Sequence, residues 1–260
     1  MIFVKALTLM LPFLMGCSAS ATSTDLAIPA SPIPKEDSKL EWADLSSTAA
    51  QWKSHYRVED PFTKITNDRG DGNEGLYGTR NFRVVLHGVY YRGGANNTYN
   101  KYLKRSNMNP LQDHGLENLC EEGFGKSIYF YPNNFSGAKK KTNCGDAKGS
   151  NQLDYQQLTA FNKSNHEVIL NQIYQRIKGQ INGPIYGHCW NGWHASGLIA
   201  SMALQQFCDW SQAEAGDYWK RNTDGNSKGY EAVLRQVMNF KKISRLEISD
   251  SEKAAICPRK

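Results

Sequence analysis

One segment constrains the fold of this chain more than any other, because it joins a strand to a buried helix through a loop that carries a cysteine. Residues 183–188 predict a short buried strand, and residues 196–209 predict a largely apolar helix. Cys189 directly follows the strand, and Gly192 allows the loop backbone to turn back on itself. Backbone N–H groups converge at a helix N-terminus, where they stabilise an anion or a thiolate. The segment therefore predicts an anion-binding loop with a reactive thiol at its base.

The rest of the chain alternates between predicted strands and helices. Further strands are predicted at 82–86, 89–92 and 127–131. Further helices are predicted at 41–53, 109–122, 164–178 and 230–242. Capping signals stand at Asn109-Pro110 and in two boxes, Ser164–Glu167 and Ser211–Glu214. Such alternation predicts an α/β fold in which helices cover a central sheet.

The loop segment resembles the signature loop of the cysteine-dependent protein phosphatases, written His-Cys-x-x-Gly-x-x-Arg-Ser/Thr-Gly. The matching residues are His188, Cys189, Gly192, Ser196 and Gly197. Residues 81–92 resemble the opening strands of the dual-specificity branch, and residues 116–131 resemble its first helix-to-strand unit. The likeness covers about residues 80–242. It implies a compact α/β domain with a central mixed sheet flanked by helices.

The resemblance also implies roles for individual residues. In that family the cysteine attacks phosphorus, and water then hydrolyses the phosphocysteine. Cys189 would be the nucleophile, His188 would orient the loop, and Ser196 would stabilise the leaving thiolate. The other positions of the anion loop are Trp190, Asn191, Gly192, Trp193, His194, Ala195 and Gly197. No cofactor and no metal are expected, because the histidines lack metal-ligand spacing.

Two positions depart from the family pattern. Ala195 stands where the family has the arginine that grips two phosphate oxygens. Residues 155–165 correspond to the loop of the general acid, yet they contain no Asp or Glu, and Asp154 only flanks them. We therefore expect poor catalysis. No bidentate guanidinium holds the phosphate, and no carboxyl group donates a proton to the leaving oxygen.

Several loop side chains allow two interpretations. His194 either replaces the missing arginine as a cation or packs against the protein. Trp190 and Trp193 either stack on a sugar or aromatic ring of a ligand or pack the back of the loop. Arg92 is predicted to brace the loop from below.

The N-terminus has the pattern of an exported lipoprotein. Residues 1–16 combine Lys5 with a short apolar core, as secretory signals do, and the run ending Leu14-Met-Gly-Cys17 resembles the lipobox of bacterial lipoproteins. This resemblance implies a lipid, such as palmitate, on Cys17. A serine at position 18 favours the outer membrane, facing the periplasm or the cell surface. Residues 17–40 are rich in Ser, Ala, Thr and Pro and predict a flexible tether, so the domain is expected at 41–260, with a tail at 243–260.

Five cysteines follow Cys17, and an odd number leaves one unpaired. An exported protein forms disulfides readily. If Cys189 stays free in the loop, four cysteines remain, and they allow three connectivities. We favour Cys120–Cys144 together with Cys208–Cys257.

The net charge and the distribution of basic residues bear on the possible partners of the protein. The net charge is +6, and the basic residues are scattered apart from Lys139-Lys140-Lys141, so no nucleic-acid partner is expected. The first hypothesis is an impaired phosphatase-like module that binds an anion, a phosphorylated envelope glycan or a protein partner. The second is an atypical phosphatase that uses Cys189. The third is a structural component of an envelope or surface assembly.

Overall fold

The sheet determines where every candidate residue lies. The computed structural model describes residues 39–95, 109–146 and 149–260. The strands are β1 Thr79–Leu86, β2 Tyr90–Ala95, β3 Lys126–Tyr129, β4 Lys141–Asp146, β5 Gly149–Gln157 and β6 Ile185–Cys189. They form one six-stranded sheet in the order β1-β2-β6-β3-β5-β4. The four inner strands β2, β6, β3 and β5 run parallel, whereas β1 and β4 pair antiparallel at the two edges. The mixed sheet confirms the predicted α/β fold class.

Helices cover both faces of this sheet. They are α1 Lys39–Tyr56, α2 Asp113–Glu121, α3 Ser164–Ile177, α4 Ala195–Cys208, α5 Gln212–Arg221, α6 Glu231–Met238 and α7 Asp250–Ile256, with 3-10 turns at Glu74–Leu76 and Ser244–Leu246. One apolar core unites a sheet face with α3 to α7, a second unites the other face with α2, and α1 contributes to both. Strand β6 is buried at every position because it lies at the centre of the sheet with both faces covered. None of the helices in the described ranges is long and apolar enough to cross a bilayer.

The predicted strand–loop–helix is present where the sequence places it. Strand β6 ends at Cys189 and α4 begins at Ala195, so residues 190–194 connect them. All fourteen residues of α4 are buried. The capping box predicted at Ser211 and Glu214 is formed at the start of α5.

Other local predictions are wrong. The helix predicted from Asn109-Pro110 begins only at Asp113, because residues 109–112 have no regular structure and the Leu111 N–H donates to the Tyr155 hydroxyl. The box predicted at Ser164 does not form, since the Ser164 hydroxyl donates to Asn162 and Glu167 pairs with Arg245.

Two further parts of the fold differ from what the sequence predicts. The helix predicted at 230–242 is shorter and is followed by another helix, α7, which packs against α1. The polar hairpin of β4 and β5 was not predicted, because few of its residues favour strands and it lies at a sheet edge.

Two disulfides hold peripheral elements to the core. Cys120 of α2 is bonded to Cys144 of β4, and Cys208 of α4 is bonded to Cys257, which follows α7. Cys189 is free and buried. These are the pairs that the sequence favours.

The described residues belong to a unit that spans Asp37–Lys260. The predicted signal segment, Cys17 and nearly all of the predicted tether lie outside the described residues.

Candidate functional site

Cys189 lies at the carboxyl end of the parallel strands, beside Gly94 of the neighbouring strand β2. Ligands of open α/β sheets bind at this edge. Its thiol is 2% exposed, and the loop that follows leads directly into the N-terminus of α4. We call residues 189–197 the anion loop. The topology thus brings the thiol, the loop and a helix N-terminus to one place, as the sequence predicts.

The carbonyl oxygens of the anion loop are turned outward into the scaffold. Between Trp190 and His194, four of them accept hydrogen bonds from groups outside the loop. In order along the loop, these are Trp190 from Ala95 N (2.9 Å), Asn191 from Asn81 Nδ2 (2.8 Å), Gly192 from the Arg92 guanidinium, and His194 from Trp219 Nε1 (3.2 Å). With the carbonyl groups held outward, the peptide N–H groups between them face the inside of the curl.

Those N–H groups are open to a ligand. From Asn191 to Ala195, none donates to another backbone group within the described ranges. Buried backbone donors are normally paired, so a run of open N–H groups beside a helix N-terminus is typical of an anion site.

Glycines allow the loop to approach strand β2 this closely. Gly192 has φ +76°, and a Cβ there would lie 2.6 Å from the Gly93 carbonyl carbon. A Cβ on Gly94 would lie 2.5 Å from the Trp190 oxygen. Any side chain at these positions would therefore push the loop away from the sheet.

The thiol of Cys189 has one polar neighbour of the predicted kind. Its Sγ lies 3.4 Å from the Ser196 hydroxyl in the first turn of α4. A hydroxyl at this distance is able to donate a hydrogen bond to a thiolate. The structure therefore brings Cys189 and Ser196 together as the resemblance implies.

His188 supports the backbone of the thiol rather than the thiol itself. Its Nδ1 lies 3.2 Å from the Cys189 carbonyl oxygen, and its Nε2 lies 2.8 Å from the Tyr155 hydroxyl. Because a carbonyl oxygen only accepts, we assign the proton to Nδ1, and Tyr155 then donates to Nε2. Burial lowers the pKa of His188 to about 3, so the ring stays neutral.

The position of the family arginine carries no charge in this chain. Ala195 is fully buried at the first position of α4. His194 does not take over the charge, because its Nε2 donates to the Asn226 carbonyl oxygen at 2.6 Å and its ring stacks on Tyr230 at 3.4 Å between centroids. Burial also lowers the pKa of His194. The geometry supports the packing interpretation of this histidine.

The two tryptophans of the loop behave differently. Trp193 packs on the outer side of the loop, where its indole N–H donates to Asp224 at 3.0 Å. Trp190 is 43% exposed beside the open N–H groups. Of the two, Trp190 is the ring that remains accessible to a ligand.

No carboxylate occupies the place of a general acid. Residues 158–163, between β5 and α3, contain no Asp or Glu. Asp154 pairs in register with Lys126 at the beginning of β3, whereas His188 pairs with Tyr129 at the end of that strand. Three residues of strand separate the two levels by roughly 10 Å. Asp154 therefore lies away from the anion loop and is not a substitute.

The sequence did not predict the residues that support the site. Asn81 and Tyr155 hold Asn191 and His188, while Asp224 and the Asn226 carbonyl group hold Trp193 and His194. The Asp-Gly pair at 224–225 marks a turn, but nothing in the sequence shows that the turn faces the loop. The predicted brace, Arg92, does contact the loop from below through Gly192 and Ser196.

Among the described residues there is no group of three His, Cys, Asp or Glu side chains arranged to hold a metal ion.

Comparison with solved structures gives distant neighbours, of which two are described here. No family model and no curated protein matches the chain. It is similar to TpbA of P. aeruginosa, with 15% identity, 66% of this chain and 90% of that chain covered, and a TM-score of 0.39. It is also similar to PTPN18 in complex with HER2-pY1196 phosphopeptides, with 12% identity, 76% and 91% covered, and a TM-score of 0.41. Because these identities and TM-scores are low, the chemistry of the site is inferred from its own geometry.

Proposed function

We propose that this chain binds a phosphate-type oxyanion in the anion loop and turns it over poorly or not at all. One observation carries the proposal: the loop carbonyl groups are fixed outward by scaffold donors, which leaves consecutive N–H groups facing inward beside the start of α4. Oriented N–H groups of this kind stabilise an anion without a metal or a cationic side chain.

The same geometry supports impaired catalysis. With Ala195 in place of the arginine, no fork grips the equatorial oxygens of the phosphate. Loss of a comparable donor lowers a rate by about 10²- to 10⁵-fold. The missing carboxyl group between β5 and α3 removes a further factor, since general acids contribute about 10²- to 10⁴-fold.

The ligand we propose is a phosphate group carried by a larger molecule. The exposed indole of Trp190 lies beside the open N–H groups and offers a face on which a sugar or another flat ring stacks. A phosphorylated envelope glycan or a phosphorylated protein fits this description. On the lipobox-like run ending at Cys17, we place the protein at the outer membrane, held by lipid and facing the periplasm or the cell surface.

An active phosphatase is the second candidate, and the contact between Cys189 and Ser196 favours it. That pair is the part of the hydrolytic machinery that the chain retains. A purely structural role in an envelope assembly is the third hypothesis.

Binding and turnover should be measured on the same full-length preparation. We expect calorimetry to detect phosphate and vanadate, with chloride at matched ionic strength as the control. We expect negligible hydrolysis of an aryl phosphate near neutral pH. Absence of oxyanion binding would contradict the proposal. Robust hydrolysis that disappears in Cys189→Ser would establish the active phosphatase instead.

A further inference from the structure

Arg92 is a fully buried cation, and the groups it contacts are all neutral. It is 0% exposed on strand β2, directly beneath the anion loop. Its guanidinium donates to the Gly192 carbonyl oxygen, the Tyr218 hydroxyl (3.2 Å), the Ser196 hydroxyl (3.5 Å) and the Asn222 carbonyl oxygen (3.5 Å). Within the described part of the chain, no carboxylate forms an ion pair with it.

A neighbouring arginine shows the contrast. Arg83 on strand β1 is 2% exposed, but its guanidinium lies 3.3 Å from Asp224 Oδ1. A buried charge is strongly unfavourable unless an opposite charge or hydrogen bonds compensate it. Arg83 has such a partner within the protein, whereas Arg92 has hydrogen bonds and the face of the Tyr218 ring, whose centroid lies 5.7 Å from the guanidinium carbon.

The place where a counter-charge would approach Arg92 is the anion loop. One hydroxyl group, that of Ser196, lies between the Arg92 guanidinium and the Cys189 thiol, at 3.5 Å and 3.4 Å respectively. Other groups near Arg92 offer no negative charge. The phenols of Tyr90 and Tyr186 are near both Arg92 and Cys189, and burial raises the pKa of each well above its ordinary value. Asp224 is engaged by Arg83, Lys64 and Trp193.

We propose that Arg92 supplies, from beneath the loop, the positive charge that Ala195 does not supply from within it. Its counter-ion is the oxyanion bound in the loop. This inference rests on the proposed function of the loop. Arg92 does not touch the ligand, so it is a positioning residue that acts through the loop backbone and through Ser196.

Two roles of Arg92 are to be distinguished. If Arg92 only braces the loop, a neutral amide that donates to the Gly192 carbonyl oxygen is able to replace it. If Arg92 supplies a counter-charge, the replacement must itself be a cation. Two unit charges separated by about 7 Å in a partly buried site alter affinity by about 10- to 100-fold.

The test compares Arg92→Lys, which keeps the charge, with Arg92→Gln, which keeps donors without it. Arg176→Gln is the matched control, because Arg176 is also buried and donates to carbonyl oxygens, at Gly88 and Ile181, far from the loop. The readouts on the full chain are phosphate affinity by calorimetry and the rate of Cys189 alkylation by iodoacetamide at one fixed pH, followed by peptide mass spectrometry.

We expect Arg92→Gln to weaken phosphate binding by about 10- to 100-fold and to slow the alkylation of Cys189 by a similar factor. Arg92→Lys and Arg176→Gln should stay within about 3-fold of the wild type. If the wild type binds phosphate and Arg92→Gln matches it in both readouts, the inference is overturned while the proposed function stands. If the wild type binds no phosphate, the proposed function itself fails.

A second measurement leaves Arg92 intact in case its variants do not fold. Cys189 is the other group near Arg92 that is able to carry a negative charge, so Cys189→Ser should show a larger phosphate-induced rise in Tm than the wild type. Equal rises in the two proteins would contradict the shared counter-charge.

Discussion

The indole N–H of Trp193 donates to Asp224 Oδ2 at 3.0 Å, and this bond ties the outer side of the anion loop to the turn between α5 and α6. In the same turn, the Asn226 carbonyl oxygen accepts a hydrogen bond from the His194 imidazole. On the opposite side, Asn81 holds the Asn191 carbonyl oxygen. Consecutive loop residues are thus held from both sides, and the curl keeps its shape without an arginine at position 195.

Removing the indole N–H should loosen the loop. In Trp193→Phe, Asp224 keeps Lys64 and Arg83, so the variant loses one hydrogen bond and little packing. We expect the free energy of unfolding to fall by about 1 kcal/mol and phosphate affinity to fall by about 3- to 10-fold. Denaturant unfolding and calorimetry measure the two effects. Trp190→Phe is the control for stability. Equal losses of unfolding free energy in Trp193→Phe and Trp190→Phe would argue against a supporting role of Asp224.

Restoring the arginine should strengthen binding more than turnover. In Ala195→Arg the fork adds charge-assisted hydrogen bonds to the oxyanion, so phosphate and vanadate should bind about 10-fold tighter or better. Ala195 is fully buried, and the larger side chain should lower the free energy of unfolding by about 1–3 kcal/mol.

Hydrolysis by Ala195→Arg should stay low, because residues 158–163 still provide no acid. Ala195→Lys tests charge without the fork and should gain less affinity. Rapid aryl phosphate hydrolysis by Ala195→Arg would show that another group protonates the leaving oxygen.

Two buried histidines predict a loss of stability in acid. Burial lowers the pKa of His188 to about 3 and that of His87 to about 4, below the value near 6.5 of an unfolded chain. The unfolded state therefore takes up protons first. Stability is unaffected by these groups above pH 6.5 and falls by about 1.4 kcal/mol per pH unit for each as the pH drops toward 4 and 3.

His87 lies away from the anion loop and isolates one of these contributions. Denaturant unfolding of His87→Gln should show a slope shallower by about one proton between pH 6 and pH 4.5. An unchanged slope would mean that His87 titrates alike in the folded and unfolded states.

The two disulfides should contribute unequally. Cys208–Cys257 spans 49 residues and Cys120–Cys144 spans 24, and the longer loop restricts the unfolded chain more. We expect paired substitution to alanine to cost roughly 2–4 kcal/mol in each case, with the larger loss for Cys208–Cys257. Denaturant unfolding decides the order, and non-reducing peptide mapping decides the pairing. A bond that involves Cys189 would refute it.

Lipid attachment remains a prediction of the sequence alone. Cys17→Ser should leave unprocessed precursor or protein that is released from the membrane fraction. Mass spectrometry of the wild-type N-terminus and fractionation of cells measure the two effects. Unmodified Cys17 together with unchanged fractionation of the variant would refute the lipoprotein interpretation.

The sequence predicted the centre of the site better than its surroundings, and the reason is physical. Residues 185–208 form their strand and helix from contiguous apolar residues, so local pattern suffices. Asn81 and Asp224 act on loop residues 110 and 31 positions away, and polar side chains carry no periodicity that reveals such partners. At Ser164 the pattern was present, but Asn162 and Arg245 captured both members of the capping box.

The burial of helix α4 limits how this site is regulated. Because all fourteen of its residues are buried, opening α4 exposes the interior of the domain and costs nearly as much as global unfolding. Its amides should therefore be among the last to exchange with solvent deuterium. A loop anchored to so rigid an element keeps its shape over the lifetime of the folded state. Any regulation of this site must then act on whether a ligand reaches the loop, rather than on the conformation of the loop.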